Sequence, residues 1–192
     1  MRDDWLREIA NKIIVGAVLL DLSAAFDIID HSLLLEKLVL WLYTPAILWT
    51  KSYLSNRSHR VFFNGSLSNI IQVESGIPQG SCLCPLLFSI FISDMPLTLS
   101  KARVSIYADD STLYTSATTA TEMTTTLNKE LQLDSMWVAR NKLALNIVFG
   151  TNHSLNPKPQ LNLEINNVEI EQVEMTKLLG VTLDCKLSWS KH

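Results

Sequence analysis

Cysteine is scarce in this sequence. The chain has 192 residues and three cysteines, Cys82, Cys84 and Cys185, which are too few for a disulfide scaffold. Cys82 and Cys84 are separated by one residue, but no second Cys or His pair follows at the spacing of a zinc site. We therefore expect Cys82 and Cys84 to be buried, apolar thiols in a reducing compartment.

Long apolar runs are also missing. The longest stretches, residues 13–20 and 83–92, fall well short of the roughly 20 residues that a membrane span needs. The first residues lack the apolar segment of a signal peptide, and the chain contains no internal repeat, low-complexity tract or linker. These absences predict a single soluble, intracellular domain with no membrane segment.

An excess of positive charge is the third absence. With 16 Lys and Arg against 19 Asp and Glu, the formal net charge is −3, whereas nucleic-acid-binding domains usually carry an excess of basic residues. Composition alone therefore gives weak evidence against nucleic-acid binding. The hydrophobic fraction of 47% and the charged fraction of 18% exclude a disordered chain and are sufficient for a packed core.

The order of apolar patterns along the chain predicts an α+β fold. Helices are predicted near residues 24–26, and at residues 33–38, 48–54, 85–92 (fully buried) and 121–142. Strands are predicted at residues 13–20, 61–66, 70–73, 104–107, 112–114 and 161–168. The strand at 61–66 should turn at Asn64-Gly65 and pair with residues 70–73. Residues 76–80 should form a loop.

Three carboxylates are predicted to meet in this sheet. Asp21 follows the buried strand at residues 13–20, while Asp109 and Asp110 occupy the hairpin between two short strands. Converging carboxylates repel each other unless they are protonated, paired or bound to metal. Two divalent ions about 3.5–4 Å apart would relieve this repulsion and can support phosphoryl transfer. Considered singly, however, Asp-Asp is common in tight turns, and Asp21 could be a helix N-cap.

Three longer segments favour the catalytic interpretation. They read VLLDLSAAFDIIDH at residues 18–31, GIPQGSCLCPLLFSIFISDMP at residues 76–96 and YADDSTLY at residues 107–114. In their wording and order they resemble motifs A, B and C of reverse transcriptases from non-LTR (LINE-type) retrotransposons. The resemblance extends to KSYLSNR at 51–57, NKLALN at 141–146, and LLGVTLD at 178–184 with LSW at 187–189.

The resemblance implies the fold and activity of a right-hand polymerase. Residues 1–192 would be a reverse transcriptase domain fragment, with an antiparallel palm sheet backed by helices, motifs A to D and the following LGVxxD block. Most of the fingers, and the thumb, would be absent. The implied reaction is RNA-directed DNA polymerisation with two Mg²⁺ ions, or Mn²⁺ as an alternative, on an RNA template, a DNA primer and dNTPs. The family's setting is a cytoplasmic or nuclear ribonucleoprotein.

The resemblance also implies a role for each matched residue. The catalytic acids would be Asp21, Asp109 and Asp110, which would bind metal together with the backbone carbonyl of Leu22. The nucleotide would be bound by Phe26, Pro78, Gln79 and Gly80, with the Phe26 ring excluding a 2′-OH. Lys51, Arg57 and Arg60 would contact the nucleic-acid backbone. Without the resemblance, Phe26 would be a core residue, the 76–80 loop an ordinary turn and the basic cluster a solvated surface.

Two departures from the family's pattern support an alternative function. Cys84 stands where the family usually has Gly, and residues 147–151 contain no lysine, although the family commonly has one there as a candidate proton donor. Loss of a general acid typically lowers the rate by about 10²–10⁴. The alternative is therefore a catalytically inactive, decayed fragment that at most binds nucleic acid. A nuclease of the RNase H type is disfavoured, because it would have neither Phe26 nor the PQG loop.

Overall fold

Two compact units make up the part of the chain that the computed structural model describes, which is residues 2–11, 13–153, 161–173 and 175–184. The first unit comprises the described residues within Met1–Ser23, Met95–Ala139 and Ala144–His192, and the second comprises Ala24–Asp94 and Arg140–Leu143. The helices are α1 Arg2–Ala10, α2 Ala25–Ile28, α3 His31–Leu38, α4 Thr44–Leu54, α5 Cys84–Ile92 and α6 Ala120–Arg140, with a 3₁₀ turn at Met95–Thr98. The strands are β1 Ile14–Ser23, β2 Arg57–His59, β3 Phe62–Phe63, β4 Ser66–Leu67, β5 Ile71–Val73, β6 Arg103–Tyr107, β7 Asp110–Ala117, β8 Ala144–His153, β9 Glu164–Ile165, β10 Val168–Glu169, β11 Met175–Leu178 and β12 Val181–Asp184.

A four-stranded antiparallel sheet in the order β6-β7-β1-β8 forms the centre of the first unit. Strand β1 lies between two neighbours, and its residues 14–20 are all buried, which explains its continuous apolar run. The strand does not end at Asp21, as the sequence predicted. It continues to Ser23, because the ladder with β8 extends to the pair Ser23–Ala144.

A glycine in β1 lets helix α6 pack closely on this sheet. A Cβ added at Gly16 would lie 2.6 Å from the Sδ of Met123 and 2.9 Å from a methyl of Leu127. Met123, Leu127 and Leu131 are fully buried and follow one another at four-residue spacing, so they form the apolar stripe of the helix. The predicted helix at residues 121–142 is therefore confirmed with slightly shifted ends.

Two acidic residues, Glu130 and Asp134, share the buried face of α6, which the sequence pattern did not predict. Glu130 accepts hydrogen bonds from Ser100 N (2.8 Å), Ser100 Oγ (2.5 Å) and Lys101 N (3.1 Å). Burial opposes ionisation, but these hydrogen bonds outweigh it and hold the pKa of Glu130 below its ordinary value. Asp134 has no such partner among the described residues, and burial raises its pKa to about 7.

Helices dominate the second unit, in which α3 packs against both α4 and α5. Asp30 caps α3, because its Oδ1 accepts hydrogen bonds from Ser32 N (2.9 Å) and Leu33 N (3.0 Å). Helix α4 begins at Thr44, four residues before the predicted start, with Pro45 in its first turn. Helix α5 was predicted to be wholly buried, but Leu86 is 56% exposed, so one side of that helix faces solvent.

The strand pairing predicted for residues 61–73 is wrong. Strand β3 pairs with β4 across the Asn64-Gly65 turn, whereas β5 pairs with β2. Both turn residues have positive φ, 50° and 82°, so the Asn-Gly turn forms, but it joins the strands nearest to it. Residues 71–73 are thereby left free to pair with the segment that follows α4.

The cysteine prediction holds for one residue of two. Cys84 is buried at the start of α5, whereas Cys82, in the preceding loop, is exposed. Cys185 and the LSW block at 187–189 lie outside the described residues. The strand predicted at residues 161–168 is interrupted by a turn at Asn166-Asn167, which joins β9 to β10. No described helix combines the length and apolarity needed to cross a membrane.

Candidate functional site

The register of the sheet brings three carboxylates to one end of it. Asp21 lies directly opposite Asp110 in the β1–β7 ladder, and Asp110 pairs with Tyr107 in the β6–β7 ladder. Ala108 and Asp109 are therefore the two residues of the connecting turn. Directly opposite side chains project from the same face of a sheet, with Cβ atoms about 4.5–5.5 Å apart. Asp21, Asp109 and Asp110 thus form a carboxylate cluster within the first unit.

The turn that carries Asp109 is strained and is tied to β1. Ala108 has a φ of 51° at the first central position of the hairpin, a position that favours glycine. A left-handed conformation costs a residue with a Cβ about 1–2 kcal/mol. The N–H of Leu22 donates a hydrogen bond of 3.3 Å to the carbonyl of Asp109. This bond fixes Asp109 beside the strand that carries Asp21.

The carboxylates of this cluster repel one another. Burial, followed by the negative charges of Asp109 and Asp21, raises the pKa of Asp110. A bound divalent cation would reverse this effect by favouring the ionised form.

Among the described residues, no group of three or more His, Cys, Asp or Glu side chains is arranged so that it could hold a metal ion. Magnesium, however, is commonly held by one or two carboxylates, with water and substrate phosphates completing its shell. The hard oxygen donors of the carboxylate cluster fit that kind of site.

The loop at residues 76–80 belongs to the second unit, where it is tied to α2 and α3. The N–H of Gly76 donates to the carbonyl of Ile29 (2.8 Å), and the N–H of Ile77 donates to the carbonyl of Phe26 (2.8 Å). The Nε2 of His31 donates to the carbonyl of Gly76 (2.7 Å). At Gly76, φ is +81° and a Cβ would lie 2.6 Å from the carbonyl oxygen of Asp27, so only glycine fits.

Further contacts in this unit connect the residues predicted to bind a nucleotide. The amide of Gln79 donates to Oδ1 of Asp27 (2.8 Å), and the half-buried ring of Phe26 lies 4.3 Å from that of Phe88. Gly80 has a φ of +80° and open space around its Cα, so backbone conformation, and not crowding, requires glycine there.

One of the three predicted basic residues lines a cleft with this loop. The cleft has a volume of about 470 Å³, and its walls include Arg57, His59, Pro78 and Gln79. Lys51 and Arg60 are exposed in the same unit but are not among the residues that line the cleft. The structure therefore brings Arg57 next to Pro78 and Gln79, and leaves the other two basic residues outside.

The sequence suggested only supporting or surface roles for Asp27 and Asp30, and it did not predict the contacts that position the loop. Asp27 and His31 hold Gln79 and Gly76, and Lys142 makes an ion pair of 2.5 Å with Asp30. The hydrogen bond from Lys142 is the main cause of the lowered pKa of Asp30. The sequence feature that could have indicated these contacts is the segment DIIDH at residues 27–31. It follows the apolar strand, and its polar residues have neither the period of a strand nor that of a helix.

Cys84 does not crowd the turn that precedes it. Its N–H donates hydrogen bonds of 3.2 Å to the carbonyl and to the hydroxyl of Ser81, so the residue begins α5 in regular geometry. Burial, and to a smaller extent the charge of Asp27, raises the pKa of its thiol. The thiol is therefore a packed apolar group, and the absence of glycine here does not disturb the loop.

Known proteins resemble this chain along most of its length. Residues 7–183 match the family model described as reverse transcriptase (RNA-dependent DNA polymerase). The RNA-directed DNA polymerase from mobile element jockey of Drosophila melanogaster is 31% identical, over 97% of this chain and 21% of that protein. The probable RNA-directed DNA polymerase from transposon BS of the same organism is also 31% identical, over 97% of this chain and 22% of that protein. The chain thus spans about a fifth of the length of these relatives.

Two solved telomerase structures share this fold. The apo telomerase from Candida tropicalis, truncated from its C-terminal domain, superposes with a TM-score of 0.61 over 96% of this chain and 38% of that chain, at 10% identity. The Candida tropicalis telomerase in complex with a TWJ fragment of telomeric RNA gives a TM-score of 0.59 over 98% of this chain and 33% of that chain, at 11% identity. The predicted α+β palm fold is confirmed by this similarity and by the antiparallel sheet.

Proposed function

Because the chain belongs to the reverse transcriptase (RNA-dependent DNA polymerase) family, and specifically to its non-LTR retrotransposon branch, we propose that it is the palm of an RNA-directed DNA polymerase. The observation that carries the proposal is the register of β1 and β7, which pairs Asp21 with Asp110 beside the Asp109 turn. The family model matches residues of both compact units, so we assign both to one reverse transcriptase domain.

The proposed reaction joins a primer 3′-OH to the α-phosphate of a dNTP. A new P–O bond forms, the bond to pyrophosphate breaks, and the hydroxyl proton leaves. Asp21, Asp109 and the carbonyl of Leu22 would hold two Mg²⁺ ions, or Mn²⁺, which when bound stabilise the attacking and leaving oxygens. Asp110, whose pKa is raised by burial and by the charges of Asp109 and Asp21, would be the neighbouring acid of this site.

The second unit is proposed to bind the nucleotide and the RNA template. Gln79, fixed by Asp27, and Pro78 would form the surface against the incoming nucleotide, with Gly80 in the left-handed conformation that the loop needs. Phe26 would lie under the sugar and select dNTPs, because its ring leaves no room for a 2′-OH. Lys51, Arg57 and Arg60 would contact phosphates of the template or primer, which attract cationic side chains without regard to sequence.

A catalytically inactive fragment is the second candidate. It is favoured by residues 147–151, IVFGT, which form part of β8 and contain no lysine that could donate a proton to pyrophosphate. Such a chain would keep the fold and the nucleic-acid contacts but synthesise no DNA.

Primer extension distinguishes the two functions. The purified chain is given a poly(rA) template, an oligo(dT) primer, dTTP and Mg²⁺, and product length is read on a denaturing gel. We expect DNA synthesis that falls to background in Asp109→Asn, which keeps the size of the side chain but removes its charge. Glu171→Gln, at an exposed site, is the matched control and should retain activity. A folded wild-type chain that makes no product would reject the polymerase and support the inactive fragment.

A further inference from the structure

A stack of three side chains stands on the surface of the second unit. The rings of Trp49 and Tyr53 are nearly parallel, with 7° between their planes and 5.4 Å between their centroids. The guanidinium of Arg57 lies 5.3 Å from the centroid of the Tyr53 ring. Trp49 and Tyr53 lie four residues apart on α4 and therefore share one side of the helix, and Arg57, the first residue of β2, joins them through its contact with Tyr53. We call this set the Trp49 stack.

Within the Trp49 stack the Trp49 ring is exposed, whereas Tyr53 and Arg57 are half-buried. Trp49 is 57% exposed, whereas Trp5 and Trp137 are each only 3% exposed. A tryptophan buries one of the largest apolar areas of any side chain, so leaving this ring open gives up a substantial contribution to folding. Exposed, well-ordered aromatic faces of this kind are typical of binding surfaces.

The charge around the Trp49 stack is positive, although the chain as a whole has a formal net charge of −3. Residues 38–73 contain no Asp or Glu, but they contain Lys51, Arg57, His59 and Arg60. Lys51 is exposed two residues from Trp49, and Arg60 is exposed beyond β2. Phosphate groups would therefore meet cations and no carboxylate within this stretch of the chain.

The Trp49 stack is continuous with the cleft described above. Arg57 lines that cleft together with Pro78 and Gln79, and the same guanidinium stacks on Tyr53. A strand that leaves the cleft at Arg57 would therefore pass over Tyr53 and then Trp49.

We propose that the Trp49 stack is a platform for the bases of an unpaired RNA strand, with Arg57 at its phosphates. The inference rests on the proposed function, because the strand is the single-stranded RNA template next to the nucleotide cleft. Aromatic rings accept any base, because every base has a π face, and cationic residues hold the backbone between them. Binding should therefore require bases but not a particular sequence.

Two fluorescently labelled probes of equal length test the role of the bases. One is a 12-nucleotide oligo(U), and the other is an abasic ribose-phosphate oligomer with the same number of phosphates. Fluorescence anisotropy at fixed salt gives Kd for each probe. Loss of one base–aromatic contact typically weakens binding about 5- to 150-fold. We expect that loss for Trp49→Ala with oligo(U) and no change with the abasic probe.

Control variants separate stacking from folding and from charge. Trp41→Ala removes a tryptophan that is 63% exposed in the same unit, and it should leave both affinities unchanged. Trp49→Phe should retain most of the affinity because it keeps an aromatic face. Arg57→Ala should weaken both probes and lower the slope of log Kd against log salt by about 0.7, whereas Trp49→Ala should leave the slope unchanged. Circular dichroism confirms that each variant is folded.

Several results would overturn the inference. They are that Trp49→Ala binds oligo(U) as wild type does, that it weakens the binding of both probes equally, or that it has no more effect than Trp41→Ala. The inference would also be overturned if Trp49→Ala lost as much affinity for a 12-base-pair RNA duplex as for oligo(U), because paired bases cannot stack on the ring. Sedimentation velocity is the last check, since self-association that Trp49→Ala abolishes would assign this face to a protein contact. Tighter binding of oligo(dT) than of oligo(U) would reject RNA as the strand.

The outcome of primer extension is independent of these affinities. If wild type makes DNA and Trp49→Ala binds oligo(U) normally, the polymerase stands and the platform fails. If wild type makes no DNA but its binding of oligo(U) depends on Trp49, the polymerase activity fails and the platform stands.

Discussion

Asp134 lies on the buried face of α6, between Leu131 and Val138, and its relative exposure is 0%. Neither of its carboxylate oxygens has a hydrogen-bond partner within the described residues. Burial raises the pKa of Asp134 from 3.8 to about 7, because the charged form loses its hydration there. The folded chain therefore keeps a proton on this group over a pH range in which the unfolded chain has released it.

The free energy of unfolding should depend on pH as a result. One unit of pKa difference corresponds to about 1.4 kcal/mol, so the rise from 3.8 to about 7 costs the folded state about 4 kcal/mol once the group has ionised in both states. The penalty is absent below pH 3.8. It grows by up to about 1.4 kcal/mol per pH unit as pH rises toward 7, and it is constant above that pH.

We expect Asp134→Asn to remove this penalty while nearly preserving the volume of the side chain. The stability of the variant relative to wild type should rise by about 3 kcal/mol between pH 5 and pH 8. Urea denaturation followed by far-UV circular dichroism at several pH values measures this difference, in which the titration of other groups cancels. Glu171→Gln, which neutralises an exposed acid, should show no comparable change with pH.

A relative stability that is the same at pH 5 and pH 8 would refute the reasoning. It would mean that Asp134 ionises in the folded chain as readily as in the unfolded one, and hence that its carboxylate is hydrated or paired. An Asn variant that loses stability relative to wild type as the pH rises would contradict the sign of the argument.

Glycine positions in each unit give two further predictions. Gly76→Ala should lower the melting temperature strongly, because its Cβ would lie 2.6 Å from the carbonyl oxygen of Asp27 at a φ of +81°. Gly80→Ala is its control. Its free energy of unfolding should fall by only about 1–2 kcal/mol, which is the cost of a left-handed conformation for a residue with a Cβ. Gly16→Ala should lower the free energy of unfolding by about 1–3 kcal/mol through overpacking, since its Cβ would lie 2.6 Å from the Sδ of Met123. Met123→Ala should lower the free energy of unfolding less in the Gly16→Ala variant than in wild type. Thermal and urea denaturation measure all of these variants, and equal losses at Gly76 and Gly80, or additive losses at Gly16 and Met123, would contradict the packing described.

The fold class could be predicted from sequence because its strongest signals are local. The apolar run of β1, the short strands on either side of Asp109 and the apolar spacing in α6 each have a period that only one kind of element shows. The proximity of Asp21 to Asp110 was expected because both residues lie at ends of predicted strands. The structure adds the register, which pairs the two residues directly.

Other features depend on contacts between distant residues, and sequence patterns do not record them. The Asn64-Gly65 turn was predicted, but it joins the two strands nearest to it, β3 and β4. Residues 71–73 pair instead with β2, which precedes the turn in the chain. The burial of Glu130 depends on hydrogen bonds from Ser100 and Lys101, on a different segment. The hydrogen bonds from His31 to Gly76 and from Gln79 to Asp27 likewise join residues far apart in the chain.

Strand β1 pairs in a regular register with β7 but in an interrupted register with β8. Its pairing with β7 is unbroken from Ile14 to Asp21, whereas its pairing with β8 shifts register between Leu19 and Leu20. Side chains alternate between the faces of a strand, so a residue gained or lost between Ser111 and Ala117 can return to register only by moving Asp110 away from Asp21. On the β8 side, a bulge already absorbs one such change. An extra residue in β8 is thus accommodated in this sheet while Asp21 stays opposite Asp110.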